Sequence, residues 1–205
     1  MEVPRPAATV VVAREGDRGP EVLVLRRGAG HRFLPGFVAF PGGAIDPEDA
    51  VAARRWFGSD DEADVARACA VRELAEELGI AVTSDGLAVV DAPLAAVEAA
   101  PPPADVLVEI SRWVAPEVVP VRFDARFFAA RAAHGTEPRP DGRETADAWW
   151  TRPDVLLAEE PALYHPTWSV LSAIAACADV DAIIGSRIPQ VEVPDGWSPD
   201  VGASR

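Results

Sequence analysis

The chain has 205 residues, of which 49% are apolar, so it is long enough to build one domain with a substantial core. Its formal net charge of −14 argues against non-specific binding to nucleic acid or to an anionic membrane, because both need a basic surface. No apolar run approaches the roughly 20 residues that span a bilayer, and no basic segment typical of a signal peptide precedes the first predicted strand. Because Cys69 and Cys177 are far apart and follow no metal-ligand spacing, we predict a cytoplasmic protein with reduced, buried thiols.

The first part of the chain predicts two paired strands and a basic loop. The β-branched run at residues 7–13 predicts one strand, and residues 21–26 predict a second strand antiparallel to it. Residues 26–36 then carry three arginines and three glycines. Arginine forks fit phosphate oxygens, and glycines let the backbone approach a ligand closely. This loop is therefore either a phosphate contact or an ordinary solvated hairpin loop.

A glycine pair follows a short predicted strand at residues 37–40. Gly42 and Gly43 permit a tight turn that exposes main-chain carbonyl groups, and one of these carbonyls is a candidate metal ligand. The alternative is a simple turn with no ligand role.

Two helices are predicted after the glycine pair. Asp46 suits an N-cap, Pro47 suits the first helical position, and Gly58 suits the end of a short helix. Ser59 and Glu62 then have the spacing of a capping box, which predicts the start of a longer helix.

The longer helix carries the most informative pattern in the chain. Glu73, Glu76 and Glu77 stand at positions i, i+3 and i+4, so their carboxylates share one helix face and repel each other. A hard cation such as Mg²⁺ or Mn²⁺ would relieve this repulsion. Arg72 adjoins the cluster and can orient a glutamate, and Gly79 suits a left-handed helix end. The alternative is a solvated acidic helix face without a ligand.

The rest of the chain predicts a second run of strands and a helical C-terminal part. Residues 106–115 have a mixed pattern that fits a helix or a strand. The other predicted elements are strands at residues 87–91, 122–130 and 147–150, helices at residues 93–100, 152–159 and 168–178, and an extended tail from residue 189.

Residues 72–80 resemble the second half of the Nudix box, G-x5-E-x7-R-E-U-x-E-E-x-G-U, in which U is a bulky aliphatic residue. Every fixed position from Arg72 to Ile80 agrees. The resemblance implies an α/β protein with the Nudix fold, in which a mixed β-sheet is sandwiched between helices. It also implies one domain over residues 1–205, with a C-terminal helical appendage at about residues 161–188 and a tail at residues 189–205.

The first half of the box departs from the family pattern. With Gly43 as the box glycine, an insertion of about 15 residues is expected within residues 44–60, and Asp64 takes the place of the first glutamate. The expected salt bridge to Arg72 then comes from Asp64, or from Glu62 in its place.

The segment before the box resembles the signature of coenzyme A diphosphatases, L-L-T-x-R-[SA]-x3-R-x3-G-x3-F-P-G-G. Arg27, Arg32, Gly36 and the run Phe40-Pro41-Gly42-Gly43 match in register, whereas Leu25 and Gly28 depart from it. A long insertion in the box is typical of the peroxisomal branch of these enzymes and its bacterial relatives. The same branch carries a run like that at residues 122–128.

The resemblance implies a site for Mg²⁺ or Mn²⁺ and a nucleotide substrate. Its expected metal ligands are Glu73, Glu76, Glu77 and the carbonyl of Gly43. The expected catalytic residues are Arg72, Glu73, Glu76 and Glu144, which lies before the strand at residues 147–150. Expected substrate contacts are Arg27, Arg32, Gly42, Gly43, Arg122 and Arg126.

The function implied is hydrolysis of coenzyme A or acyl-CoA to 4′-phosphopantetheine and adenosine 3′,5′-bisphosphate. One alternative is a Nudix diphosphatase for NADH, ADP-ribose or nucleotide sugars, and another is a non-catalytic domain that senses a ligand or binds a partner. The expected partner is a small nucleotide diphosphate, with no nucleic acid and no membrane. The tail covers either a neighbouring subunit of a homodimer or nothing.

Overall fold

The computed structural model describes residues 3–30, 34–117, 121–133, 135–160 and 162–190. The strands are β1 (Arg5–Gly16), β2 (Gly19–Arg27), β3 (Val38–Ala39), β4 (Gly42–Ala44), β5 (Ile80–Thr83), β6 (Gly86–Val89), β7 (Val108–Val114), β8 (Phe123–Arg131) and β9 (Thr145–Thr151). The helices are α1 (Pro47–Trp56), α2 (Glu62–Leu78), α3 (Pro93–Ala99), α4 (Pro153–Glu159), α5 (His165–Ile174) and α6 (Val180–Ile184).

The main sheet is mixed and is centred on β1. Its strand order is β3-β2-β1-β8-β7, with β4 paired to β1 and β9 paired to β2. β1 and β8 run parallel, whereas the other paired strands of this sheet are antiparallel. β5 and β6 form a separate hairpin.

Helices cover both faces of the main sheet, so β1 is buried on both sides. Val10 and Val12 contribute to the core beneath α2, while Val11 contributes to the core beneath the C-terminal helices. This alternation follows from the two-residue period of a strand, and the continuous valine run follows from burial on both faces. The predicted mixed sheet between helices is confirmed. Within the described ranges, no helix is both long enough and apolar enough to cross a bilayer.

Several element boundaries differ from the predictions for local reasons. The N-cap of α2 is Asp61, whose carboxylate accepts hydrogen bonds from the amides of Ala63 and Asp64, whereas Ser59 accepts one from the amide of Asp61. The predicted Ser59 cap is therefore wrong. Residues 108–114 form a strand because they pair with β8.

The glycine pair and the last long helix also differ from expectation. Gly42 and Gly43 belong to β4 and pair with β1, where a turn was expected. α5 begins at His165 and ends at Ile174, with a proline in its first turn, so it starts before the predicted residue 168. Cys69 and Cys177 are free thiols, but only Cys69 is fully buried. Residues 191–205 of the predicted tail lie outside the described residues.

The end of α2 is set by a left-handed residue, as the sequence predicts. Gly79 has φ 67° and ψ 21°, and its amide donates to carbonyls of the last helical turn. We expect Gly79→Ala to lower the free energy of unfolding by about 1 kcal/mol, because a β-carbon disfavours this conformation. Gly79→Asn should lower it less, since asparagine tolerates the left-handed region. Equal losses of unfolding free energy in the alanine and asparagine variants, measured by urea unfolding, would contradict this explanation.

Candidate active site

The carboxylates of Glu73 and Glu77 face the glycine pair across the interface between α2 and β4. An oxygen of Glu77 accepts a hydrogen bond of 3.1 Å from the amide of Gly42. A β-carbon on Gly43 would lie 2.3 Å from an oxygen of Glu73, so a side chain there would displace the Glu73 carboxylate. Glu76 lies one turn along on the same helix face, with its side chain half exposed. The structure therefore brings the predicted carboxylates to the predicted backbone.

Arg72 is the hub of the hydrogen bonds around these carboxylates. Its guanidinium donates to both oxygens of Asp49, at 2.9 and 3.0 Å. It also donates to Glu73 at 2.8 Å and to Glu76 at 3.1 Å. Burial alone would lower the pKa of Arg72, but its hydrogen bonds to Asp49 and its attraction to Glu73 raise the pKa above the usual value. Arg72 thus remains a cation that orients Glu73 and Glu76.

Asp49 is the partner of Arg72, and the sequence analysis did not identify it. The predicted partners of Arg72 are wrong, because Asp64 pairs with Arg67 and Glu62 pairs with Arg126. Asp49 stands six residues after Gly43, which is the spacing of the first glutamate in the box. The extra residues therefore lie between Asp49 and Arg72, and the spacing alone could have identified the pair.

The two buried carboxylates repel each other in the absence of a cation. Burial, and next the charge of Glu73, raise the pKa of Glu77 to about 8, although the amide of Gly42 and the charge of Arg27 act in the opposite direction. Burial also raises the pKa of Glu73, against the attraction of Arg72. Carboxylate oxygens are the donors that a hard divalent cation prefers. Among the described residues, no three acidic, histidine or cysteine side chains are already arranged around a common ion position.

Arg27 and Glu144 lie beside the same carboxylates. Burial lowers the pKa of Arg27, while the charges of Glu77, Glu73 and Glu144 raise it, in that order. Arg27 ends β2, and the carbonyl of Glu144 accepts a 2.7 Å hydrogen bond from the amide of the next residue, Gly28. A predicted phosphate contact and a predicted base are thus placed together with the predicted metal ligands.

Arg126 pairs with carboxylates outside this cluster. Arg126 donates to Glu109 at 2.8 Å and to Glu62 at 3.1 Å. Glu62 precedes Glu73 by eleven residues of α2, a separation of about 16 Å along the helix axis. Arg122 donates to the carbonyl of Ala115 at 3.0 Å. Their contact with the substrate stays a prediction, and Arg32 lies outside the described residues.

The Asp49–Arg72 pair can be tested by a double-mutant cycle on unfolding. We expect Asp49→Ala and Arg72→Ala to show a coupling energy of about 2 kcal/mol, because each residue is the main partner of the other. The matched cycle of Asp64→Ala with Arg72→Ala should be additive to within about 0.5 kcal/mol. Strong coupling in the Asp64 cycle, or no coupling in the Asp49 cycle, would contradict the pairing of Asp49 with Arg72.

Comparison with known proteins agrees with this geometry. A family model described as NUDIX domain matches residues 3–168. The chain resembles the crystal structure of a NUDIX hydrolase from Alicyclobacillus acidocaldarius, with 37% identity, a TM-score of 0.78, and coverage of 92% of this chain and 99% of that one. A MutT NUDIX hydrolase from Burkholderia pseudomallei shares the fold at 20% identity and a TM-score of 0.53, over 83% of this chain and 98% of that one.

A curated relative matches a shorter segment. The protein of Caenorhabditis elegans that bears the name nudix hydrolase 7 is 38% identical over 82 residues, which are 40% of this chain and 24% of the relative. The match to the NUDIX model and the full-length likeness to the Alicyclobacillus enzyme decide the assignment. The chain belongs to the Nudix hydrolase family.

Proposed function

We propose that this protein is a metal-dependent Nudix diphosphatase that cleaves a nucleoside diphosphate linked to a second group. One observation carries the proposal: the carboxylates of Glu73 and Glu77 lie against the backbone of Gly42 and Gly43, with Arg72 fixed beside them by Asp49. Nudix enzymes generally use divalent metal ions, and this donor set consists of oxygens, which such ions prefer.

The ion that best fits these donors is Mg²⁺ or Mn²⁺. Glu73, Glu76, Glu77 and the carbonyl of Gly43 would hold it, and Gly43 has no side chain to block the approach to Glu73. When bound, the ion would neutralise charge on the bridging phosphates and lower the pKa of a coordinated water.

Side chains of the protein would bind the phosphate, orient the carboxylates and accept the proton. Arg27 would bind a phosphate oxygen, together with Arg32 from the same loop. Arg72 would keep the carboxylates of Glu73 and Glu76 in orientation. Glu144, or Glu73 in its place, would accept the proton that the attacking water loses.

Coenzyme A or acyl-CoA is the substrate that we propose. The support is the resemblance of residues 23–43 to the diphosphatase signature and the position of Arg27 beside the carboxylates. The products would be 4′-phosphopantetheine and adenosine 3′,5′-bisphosphate. NADH, ADP-ribose and nucleotide sugars are the rival substrates, because the departures at Leu25 and Gly28 fall within that signature.

The alternative to an enzyme is a non-catalytic domain that senses a ligand. Retention of the three box glutamates and of their arginine speaks against it, since a domain that only binds does not need them. A cytoplasmic location, the absence of nucleic-acid and membrane partners, and assembly as a homodimer stay predictions.

Turnover of a diphosphate panel tests the proposal. Wild type with Mg²⁺ should cleave one of CoA, acyl-CoA, NADH, ADP-ribose or a nucleotide sugar, with products identified by mass. Glu77→Gln should lower kcat/KM by at least about 100-fold, the scale of losing a key electrostatic group. Glu62→Gln, at the other end of the same helix, should retain wild-type turnover. Activity that persists in EDTA would exclude the metal-dependent mechanism.

Substrate choice can be tested at Arg27. We expect Arg27→Ala to reduce kcat/KM for CoA by about 100-fold or more, since a charge-assisted contact to phosphate would be lost, and to reduce it less for NADH. Arg143→Ala, a change of a neighbouring exposed arginine, serves as the control and should leave the ratio of the two substrates unchanged. An equal, modest loss on both substrates would count against a role specific to CoA.

A further inference from the structure

A loop between β8 and β9 is attached to the helix that carries the box glutamates. We call residues 139–144 the tethered loop. The amide of Arg139 donates to the carbonyl of Leu78 at 2.8 Å, and the amide of Asp141 donates to the carbonyl of Glu77 at 3.1 Å. These carbonyls belong to the last turn of α2, which has no intrahelical donors for them. The loop therefore begins at a fixed position relative to Glu77.

The carboxylate of Asp141 organises the rest of the tethered loop. It accepts hydrogen bonds from the amides of Arg143 and Glu144, each at 3.1 Å, and from the amide of Thr145 at 2.8 Å. Three donors on one carboxylate fix the backbone of the residues between them. Glu144 thus projects from a backbone that its own loop holds in place.

The other end of the tethered loop rests on Gly28. The buried amide of Gly28 donates to the carbonyl of Glu144 at 2.7 Å. A β-carbon at Gly28 would lie 2.6 Å from the carbonyl oxygen of Arg143 and 3.2 Å from that of Glu144. Both distances are shorter than ordinary carbon–oxygen contacts, and the obstacles are backbone atoms. The loop can therefore occupy this position only because residue 28 has no side chain.

This contact explains one departure from the diphosphatase signature. The signature has serine or alanine at the position of Gly28, next to Arg27. In this chain the backbone of the tethered loop fills the volume that their β-carbon would need. The glycine at position 28 is therefore needed for the loop to occupy its present position.

We propose that Gly28 and Asp141 are positioning residues, which together hold Glu144 beside Arg27 and Glu77 as the base of the reaction. This inference rests on the proposed function. In that reaction the water oxygen bonds to one phosphorus, the bond from that phosphorus to the bridging oxygen breaks, and Glu144 takes up the proton that the water loses. A base that is fixed near its water needs no rearrangement before the transfer.

Hydrogen exchange tests the loop position without any need for turnover. We expect Gly28→Ala to speed amide exchange across residues 139–145 by about tenfold or more, because the loop must leave its contact with β2. Gly30→Ala is the matched control, since a β-carbon there has no neighbour within 4 Å and exchange should match wild type. Unchanged exchange in Gly28→Ala would overturn the proposal.

Kinetic measurements on the substrate that wild type cleaves then test whether the loop position supports catalysis by Glu144. Gly28→Ala should lower kcat by about 100-fold or more with little change in KM, because general-base catalysis contributes on the order of 10²- to 10⁴-fold. In a Glu144→Gln background, adding Gly28→Ala should have little further effect on kcat, because the base is already absent. Losses that multiply in the double variant would overturn the proposal.

A second position guards against a folding defect in Gly28→Ala. Asp141→Ala should repeat the loss of kcat, and Asp141→Asn should retain more activity because its side-chain oxygen still accepts hydrogen bonds. Unaltered kcat in Asp141→Ala, with thermal unfolding as in wild type, would contradict the positioning role. If wild type cleaves no diphosphate, the proposed function fails, while hydrogen exchange still decides whether Gly28 and Asp141 fix the loop.

Discussion

The bidentate contact between Arg72 and Asp49 is the interaction on which the candidate site depends. It joins α1 to α2, and a further hydrogen bond from Arg72 to the carbonyl of Ala44 brings in β4. An oxygen of Asp49 also accepts from the amide of Asp46 at 2.8 Å, so the same carboxylate closes the first turn of α1. Because a buried guanidinium without a partner is strongly destabilising, the extra residues between Asp49 and Arg72 are tolerated only while they preserve this contact.

Two carboxylates are packed closely against the glycine pair, and both their charge and their volume constrain the site. Glu73 and Glu77 are buried together, which opposes their ionisation, yet the amide of Gly42 and the guanidinium of Arg72 stabilise their charged forms. A side chain at Gly43 would displace the Glu73 carboxylate from its present position. Such a site costs stability without a cation, and the proposed divalent ion would offset this cost by binding to the folded state.

Local patterns predicted the helix of the site, while its partners depended on the tertiary fold. The spacing of residues 72–80 determined both the shared carboxylate face and the glycine end of α2, since helix periodicity is local. Asp49 was missed because it falls within residues 44–60, where the insertion was expected, although its distance from Gly43 was visible in the sequence. Contacts of Arg126 with Glu62 and Glu109 join three elements, and no local signal encodes such an encounter.

The proposed function implies an order of ligand binding at this acidic site. Arg27 lies among Glu73, Glu77 and Glu144, so its positive charge is already offset by those carboxylates before any substrate arrives. An anionic diphosphate would meet repulsion from these carboxylates, because the charges of Arg27 and Arg72 are already offset by them. In the proposed function, a divalent ion held by Glu73 and Glu77 would leave Arg27 available to the phosphate. The proposed mechanism therefore requires the metal for substrate affinity as well as for the chemical step.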